Sequence, residues 1–312
     1  MFVVEKLLAL LIELLLPLTI GYLLRRWKRL NTKAVDRLME WNVYLFFPLL
    51  GILSIWTMKI NVGFIWLPVL GVVMQIVPGI LAFILVKKKF NNSLEQGSYI
   101  LASMLSNRGT VGLLSIYILF GEEGYTLGRL VMLFNSFVIY LLCYPLAQYF
   151  YQKENILFQR RISFKSLFLN RTQLPVLGVL IGLLLNVTGL PRPEFLKTSF
   201  DLLIRLSAWT SLLPVGYAMD FEAMKGYYRK TLELLGIKFI LTPAVTLLLA
   251  RLVISDPQIL WTVGILSLAP TAVNAVVAAK INNINYHLPM ASFISTTLVY
   301  LLIVFPIILF LL

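Results

Sequence analysis

The sequence predicts an all-α membrane protein: ten transmembrane helices forming two inverted five-helix repeats, with broken, crossing fourth and ninth spans. Three observations predict it. The 312-residue chain is 59% hydrophobic and 13% charged, with a mean hydropathy of +0.87, far from the composition of a soluble domain. Its apolar stretches each reach or approach the roughly 20 residues that carry a helix across a bilayer. Two stretches are interrupted at mid-span by small polar clusters, Ser106-Asn107-Arg108-Gly109-Thr110-Val111-Gly112 and Ala269-Pro270-Thr271-Ala272-Val273-Asn274-Ala275.

The spans read as 3–24, 37–58, 63–86, 96–120 and 127–151, then 172–190, 196–219, 231–254, 258–280 and 289–312. The first has too long an apolar run for a signal peptide and no small-residue cleavage site. It ends on Arg25-Arg26-Trp27-Lys28-Arg29, so it is expected to be a retained helix.

The net charge of +13 is distributed as topology rather than as a nucleic-acid surface. Lys and Arg number six in Arg25–Arg37, three in Lys87–Lys89, five in Lys153–Arg171 and three in Lys225–Lys230, all after odd-numbered spans. Connections after even-numbered spans hold only Lys59, Arg129, Arg192 with Lys197, and Arg251. The positive-inside rule then puts the odd loops in the cytoplasm and both termini on the other side. A multi-pass protein of the plasma membrane, the inner membrane in a bacterium, is the expected setting. The lipid bilayer is the expected partner and nucleic acid is not.

One cysteine, Cys143, rules out an intramolecular disulfide, and one histidine, His287, leaves no Cys/His metal site. No cofactor is expected.

The chain divides into repeats at 1–151 and 172–312, joined by a cytoplasmic linker at 152–171. Pro17 and Gly21 in span 1 echo Pro175 and Gly178 in span 6. Pro48 and Gly51 in span 2 echo Pro214 and Gly216 in span 7. Pro78 in span 3 echoes Pro243 in span 8, and Pro145 in span 5 echoes Pro306 in span 10. Because each half has an odd number of spans, the second inserts upside down relative to the first.

Hydrocarbon offers backbone groups no water, so an unwound segment persists there only when buried in protein or lining a cavity. Paired interruptions in corresponding positions mark a carrier's substrate site. The candidate substrate-binding residues are Asn107, Arg108 and Gly109 in the first break and Thr271 and Asn274 in the second. Asn42 in span 2 and Ser211 in span 7 join them, while Gly112, Pro270, Pro48 and Pro214 shape the crossover. Tyr44, Thr210 and Asn135 have a weaker claim, since helix–helix hydrogen bonding explains such residues equally well.

A charge near the bilayer centre is costly, so Arg108 either coordinates an anion or pairs with a buried acid or carbonyls. Its guanidinium, an amide side chain and a helix N-terminus together favour a carboxylate. Asp201 and Arg205 are spaced as an i,i+4 ion pair. Glu13 is a candidate proton-coupling carboxylate or a partner for Lys238 or Arg108. Lys238, ahead of Pro243, reads as a snorkelling or carbonyl-capping lysine.

At these motifs the chain resembles the auxin efflux carrier family, in particular its short bacterial members, which include malonate permeases. The resemblance covers essentially the whole length. It rests on the ten-span layout, Phe47-Pro48, the run Ser106–Gly112, Lys238 before Pro243, and the run Leu268–Ala275. It implies an inverted-repeat fold of the bile-acid-symporter type, with Asn107 and Pro270 marking the crossover. It also implies a scaffold, a mobile transport domain and elevator-like movement of organic anions, and it is compatible with a homodimer. Plant members typically carry proline at the first break, where this chain has Arg108-Gly109. No long insertion follows span 5, so auxin itself is not the implied substrate.

The expected function is secondary transport of small organic anions, mono- or dicarboxylates. The alternative is a Na⁺- or H⁺-coupled carrier of the same architecture for another solute, and further off a channel or sensor. An intramembrane enzyme is not expected: the spans hold no aspartyl pair of the usual arrangement, no Ser/His pair and no metal-ligand cluster.

Overall fold

The computed structural model describes residues 2–28, 31–59, 62–155 and 174–312. Helix accounts for 85% of the described residues, with no strand among them. In chain order the helices are α1 (Phe2–Arg26), α2 (32–56), α3 (Trp66–Lys89), α4 (Ser93–Met104), α5 (108–120), α6 (122–131) and α7 (135–154). They continue with α8 (Leu174–Thr188), α9 (Glu194–Ala218), α10 (233–253), α11 (Pro257–Ser267), α12 (Val273–Ile281) and α13 (287–311). Six helical stretches among the described residues are long and apolar enough to cross a membrane. The two interrupted spans are divided into α4 with α5 and α11 with α12.

Local chemistry sets many helix ends. Asn31, Asn92 and Asp256 cap α2, α4 and α11, accepting the amides of Ala34 at 2.8 Å, Leu94 at 2.7 Å and Ile259 at 3.0 Å. Each satisfies one of the N–H groups that a helix start leaves unpaired. Helices α1 and α3 end on Arg25-Arg26 and Lys87-Lys88-Lys89, cations that complement the negative end of the helix dipole. Arg25 also donates to the Met219 carbonyl at 2.7 Å, tying α1 to the end of α9. The neighbouring Asp220 accepts the Ala223 amide, and that bond, with Arg25 nearby, holds its carboxyl below its ordinary value.

Proline gives four helices a shared irregularity. Its ring clashes with the carbonyl four residues back and it brings no N–H. Ahead of Pro48, Pro145, Pro243 and Pro306 the helix widens into a π turn, over Asn42–Phe46, Ile139–Cys143, Ile237–Leu241 and Tyr300–Val304. In each, the residue just before proline bonds five residues back: Phe47 to Asn42, Tyr144 to Ile139, Thr242 to Ile237 and Phe305 to Tyr300. Such bulges redirect a helix without breaking it and cluster near functional sites.

Helix α1 packs closely on α9, and α8 on α2. A Cβ built on Gly216 of α9 would lie 1.9 Å from the Leu18 carbonyl of α1. One on Gly178 of α8 would lie 2.4 Å from the Pro48 carbonyl of α2. Only glycine permits these approaches, and between apolar helices in lipid, packing of this kind supplies the attraction. Large apolar side chains such as Ile84, Leu184, Leu248 and Leu302 point outward. One core gathers Leu10, Leu14, Leu50, Leu212 and Phe293. A second, around Tyr99, Ala102, Cys143 and Ala275, surrounds the α4 break.

The structure changes the sequence reading near the fifth span. Helix α5 ends at Gly121, whose φ of 65° suits glycine, and α6 begins at once. A turn at 132–134 then separates α6 from α7, where one span over 127–151 was expected. Arg129, expected in a connection, lies inside α6 and is 5% exposed. Gly121 supplies the reversal in a single residue, so no polar loop announces it. Of the expected linker at 152–171, residues 152–154 continue α7 and 156–171 lie outside the described residues.

Candidate functional site

The two broken spans meet at their breaks. After Met104 the chain extends through Leu105 and Asn107 into a π turn at Arg108–Gly112. After Ser267 it unwinds until α12 begins at Val273. Ser106 and Thr271 pair as an antiparallel β-bridge. The Asn107 amide donates to the Pro270 carbonyl at 2.6 Å, and the Ala272 amide to the Leu105 carbonyl at 2.8 Å. Each unwound segment thus supplies the partners its own helix has given up, as a non-aqueous interior requires.

Side chains complete the accounting. The Lys238 ammonium from α10 donates to the Ser103 carbonyl at 2.8 Å, the Leu105 carbonyl at 3.1 Å and Ser106 Oγ at 2.8 Å. It therefore caps the C-terminal end of α4 with a positive charge. Thr271 is fully buried. Its amide donates to Thr296 Oγ1 at 3.0 Å, and its hydroxyl donates to the Ala102 carbonyl at 3.3 Å and meets Ser292 Oγ at 2.8 Å. Its polar atoms serve the crossover.

Arg108 is 1% exposed and donates from Nη1 to the Gly71 carbonyl of α3 at 2.9 Å. Its Nε and Nη2, and Asn107 Nδ2, are buried without a partner among the described residues. Gly112 donates its amide to the Asn107 carbonyl at 3.0 Å. Gly109 leaves room beside Met132 and Phe47, whose atoms a Cβ would meet at 3.2 and 3.7 Å.

Beside the crossover lies a cavity of about 310 Å³ between α2, α6, α7, α8, α9 and α12. The structure brings three of the expected site residues to its wall, Asn42, Ser211 and Asn274, together with Asn135. Asn107, Arg108, Gly109 and Thr271 lie off that wall, as do Gly112, Pro270, Pro48 and Pro214. Asn42 Nδ2 donates to the Ser207 carbonyl and to Thr210 Oγ1, the latter at 3.0 Å. Ser211 Oγ meets Thr110 Oγ1 of the first break at 3.0 Å. Asn135 Oδ1 accepts from Gln75 at 2.8 Å. Asn274, at the start of α12, is exposed to the cavity.

The cavity also holds a residue that sequence reasoning missed, Arg129. Counting it as a loop cation hid it; the signal available was its place directly ahead of the apolar run Leu130–Phe134. Glu13 sits on α1 away from this wall. It pairs with Arg205, which also holds Asp201 at 3.0 Å, so neither Lys238 nor Arg108 is its partner. A larger and shallower hollow of about 510 Å³ lies between α3 and α10 and contains no residue of either break.

The breaks thus meet beside a mostly apolar cavity that carries a few polar groups, inside a bundle with an apolar exterior. No curated protein matches the chain. A family model described as membrane transport protein matches residues 6–309. The chain belongs to that family, the auxin efflux carrier family, a family of membrane transporters rather than of enzymes.

Proposed function

We propose that this transporter is a secondary carrier of small organic anions working by elevator-type alternating access. The observation that carries the reading is the mutual pairing of the two breaks at Ser106 and Thr271 beside a cavity between helices. The paired breaks set the start of α12, with Val273 and Asn274, on the wall of that cavity, and a polar solute at membrane depth needs such a protein-lined site because hydrocarbon excludes it.

The same reading takes the helices as ten spans in two inverted halves, 1–151 and 172–312, joined by the segment between them. Exchange of partners supports it: the first span packs on the seventh through Gly216, and the sixth on the second through Gly178. The matched π turns before Pro145 and Pro306 add a second correspondence. Inverted halves give inward-open and outward-open states of comparable energy, the requirement for alternating access. Asn42, Ser211 and Asn274 contact the solute in this scheme, and Asn107, Arg108, Gly109 and Thr271 hold the crossover behind them. The charge distribution supports both termini outside the cytoplasm, with the plasma membrane as the setting.

Anion selectivity rests on charge. Arg108, Lys238 and Arg129 are all buried, and no described carboxylate forms an ion pair with them. Uptake of labelled malonate and related carboxylates into proteoliposomes tests the reading. Saturable uptake is expected, and failure to move any carboxylate under any ion gradient removes it.

A further inference from the structure

Among the described residues, the cavity beside the crossover is lined by one formally charged side chain, that of Arg129, amid the neutral polar groups of Asn42, Asn135, Ser136, Ser211 and Asn274 and otherwise largely apolar side chains. The guanidinium is held from one side only. Its Nη2 donates to the Phe47 carbonyl at 3.0 Å, and its central carbon lies 5.6 Å from the centre of the Phe47 ring. Gly51 lets Nη2 and the α8 backbone come close: a Cβ there would lie 3.2 Å from Nη2 and 3.3 Å from the Val179 nitrogen. The buried Nε has no acceptor among the described residues. None of the described ion pairs involves Arg129: Glu122 pairs with Arg192, and Glu13 and Asp201 pair with Arg205.

Arginine keeps its charge in any protein environment. A buried guanidinium without a counter-charge is unfavourable unless an anion supplies one. Arg108 is likewise buried without a described counter-charge, but it lies off the cavity wall and turns behind the break to the Gly71 carbonyl on α3.

We propose that Arg129 is the residue that coordinates the transported anion's carboxylate, and that the cavity therefore favours monoanions with an apolar body over dicarboxylates. The proposal rests on the carrier reading above. One guanidinium fork neutralises one carboxylate, through two parallel N–H···O bonds. A second carboxylate in the same cavity would be stripped of water with no cation to meet it. The apolar wall from Val43, Val176 and Val277 suits the rest of such a solute, and Asn274 is free to take a neutral polar contact.

The test uses the full chain, purified and reconstituted, as wild type, Arg129→Gln, Arg129→Lys and Arg108→Gln. The probes are benzoate and isovalerate, the dicarboxylates malonate and succinate, and neutral benzamide. Ligand-induced shifts of the thermal midpoint and uptake into proteoliposomes are both read. Wild type is expected to bind a monocarboxylate at least about tenfold more tightly than either dicarboxylate and to ignore benzamide. Arg129→Gln is expected to weaken that binding by about thirtyfold or more. Arg129→Lys keeps the charge but loses the fork, and so falls between the two. Should Arg129→Gln fail to fold, Arg129→Lys decides: about tenfold weaker binding supports the proposal and wild-type affinity overturns it. Monocarboxylate uptake that persists unchanged in Arg129→Gln, or tighter binding of dicarboxylates by wild type, overturns the inference and leaves the carrier standing. Wild type that neither binds nor moves any of these anions removes the organic-anion reading and the inference with it.

Discussion

Ser106 of the first break pairs antiparallel with Thr271 of the second, so two segments 165 positions apart are joined by one isolated β-bridge inside a helical bundle. Neither break is self-sufficient. The first gives up helical bonds that the Pro270 carbonyl and the Ala272 amide replace. The second depends on Thr296 and Ser292 of α13 as well. A change at either break is therefore felt at both.

Lys238 is the first place to see this coupling. Its ammonium satisfies the Ser103 and Leu105 carbonyls from a fully buried position. Lys238→Met removes the charge and leaves buried acceptors short of a donor, at a cost of about 1–3 kcal/mol. A lower thermal midpoint and lost uptake are expected; wild-type stability would show that the ammonium does not hold the crossover.

Close backbone approaches give a second prediction. A Cβ on Gly71 would sit 1.8 Å from the Val131 carbonyl, and the Gly71 carbonyl receives Arg108. Gly71→Ala must push α3 from α6 and is expected to destabilise by roughly 1–3 kcal/mol. Gly226→Ala meets open space and is the control, expected within about 0.5 kcal/mol of wild type.

The two cavity asparagines should behave differently. Asn42 joins α2 to α9 through Ser207 and Thr210, and its loss is expected to cost about 1 kcal/mol of stability. Asn274 faces the cavity and has no hydrogen bond within the described residues. Asn274→Ala is expected to leave the thermal midpoint unchanged while weakening uptake. A fall in stability with uptake intact would assign it a packing role instead.

Glu13 carries a prediction about coupling. Its carboxylate is engaged by Arg205 on α9, away from the cavity wall, whereas a proton-coupling group must act within the transport cycle. Glu13→Gln is expected to preserve the pH profile of uptake. A profile flattened by this substitution would return the coupling role to Glu13.

Much of this was legible in the sequence, because the governing physics is local. Span length, the basic residues at span ends, the prolines and the two polar breaks all follow from what lipid does to backbone and charge. The meeting of the breaks was legible from their composition, and the clustering of Asn42, Ser211 and Asn274 from their polarity within apolar runs. The rest depends on the third dimension. Whether Arg108 turns toward the cavity or toward Gly71 is decided by a neighbour 37 positions away. Thr271 looked like a ligand-binding hydroxyl, and only the fold reveals that Ala102 and Ser292 engage it. Arg129 was hidden because Gly121 reverses the chain within one residue, drawing a loop-like stretch into the core.

The central claim, alternating access to an organic anion, is tested most directly by counterflow. Proteoliposomes preloaded with an unlabelled carboxylate are diluted into a trace of the same labelled compound, across a panel of mono- and dicarboxylates. A carrier predicts transient accumulation of label above equilibrium, saturable and dependent on the internal anion. Uptake of every effective anion that is linear in concentration and indifferent to preloading would contradict alternating access and leave a channel.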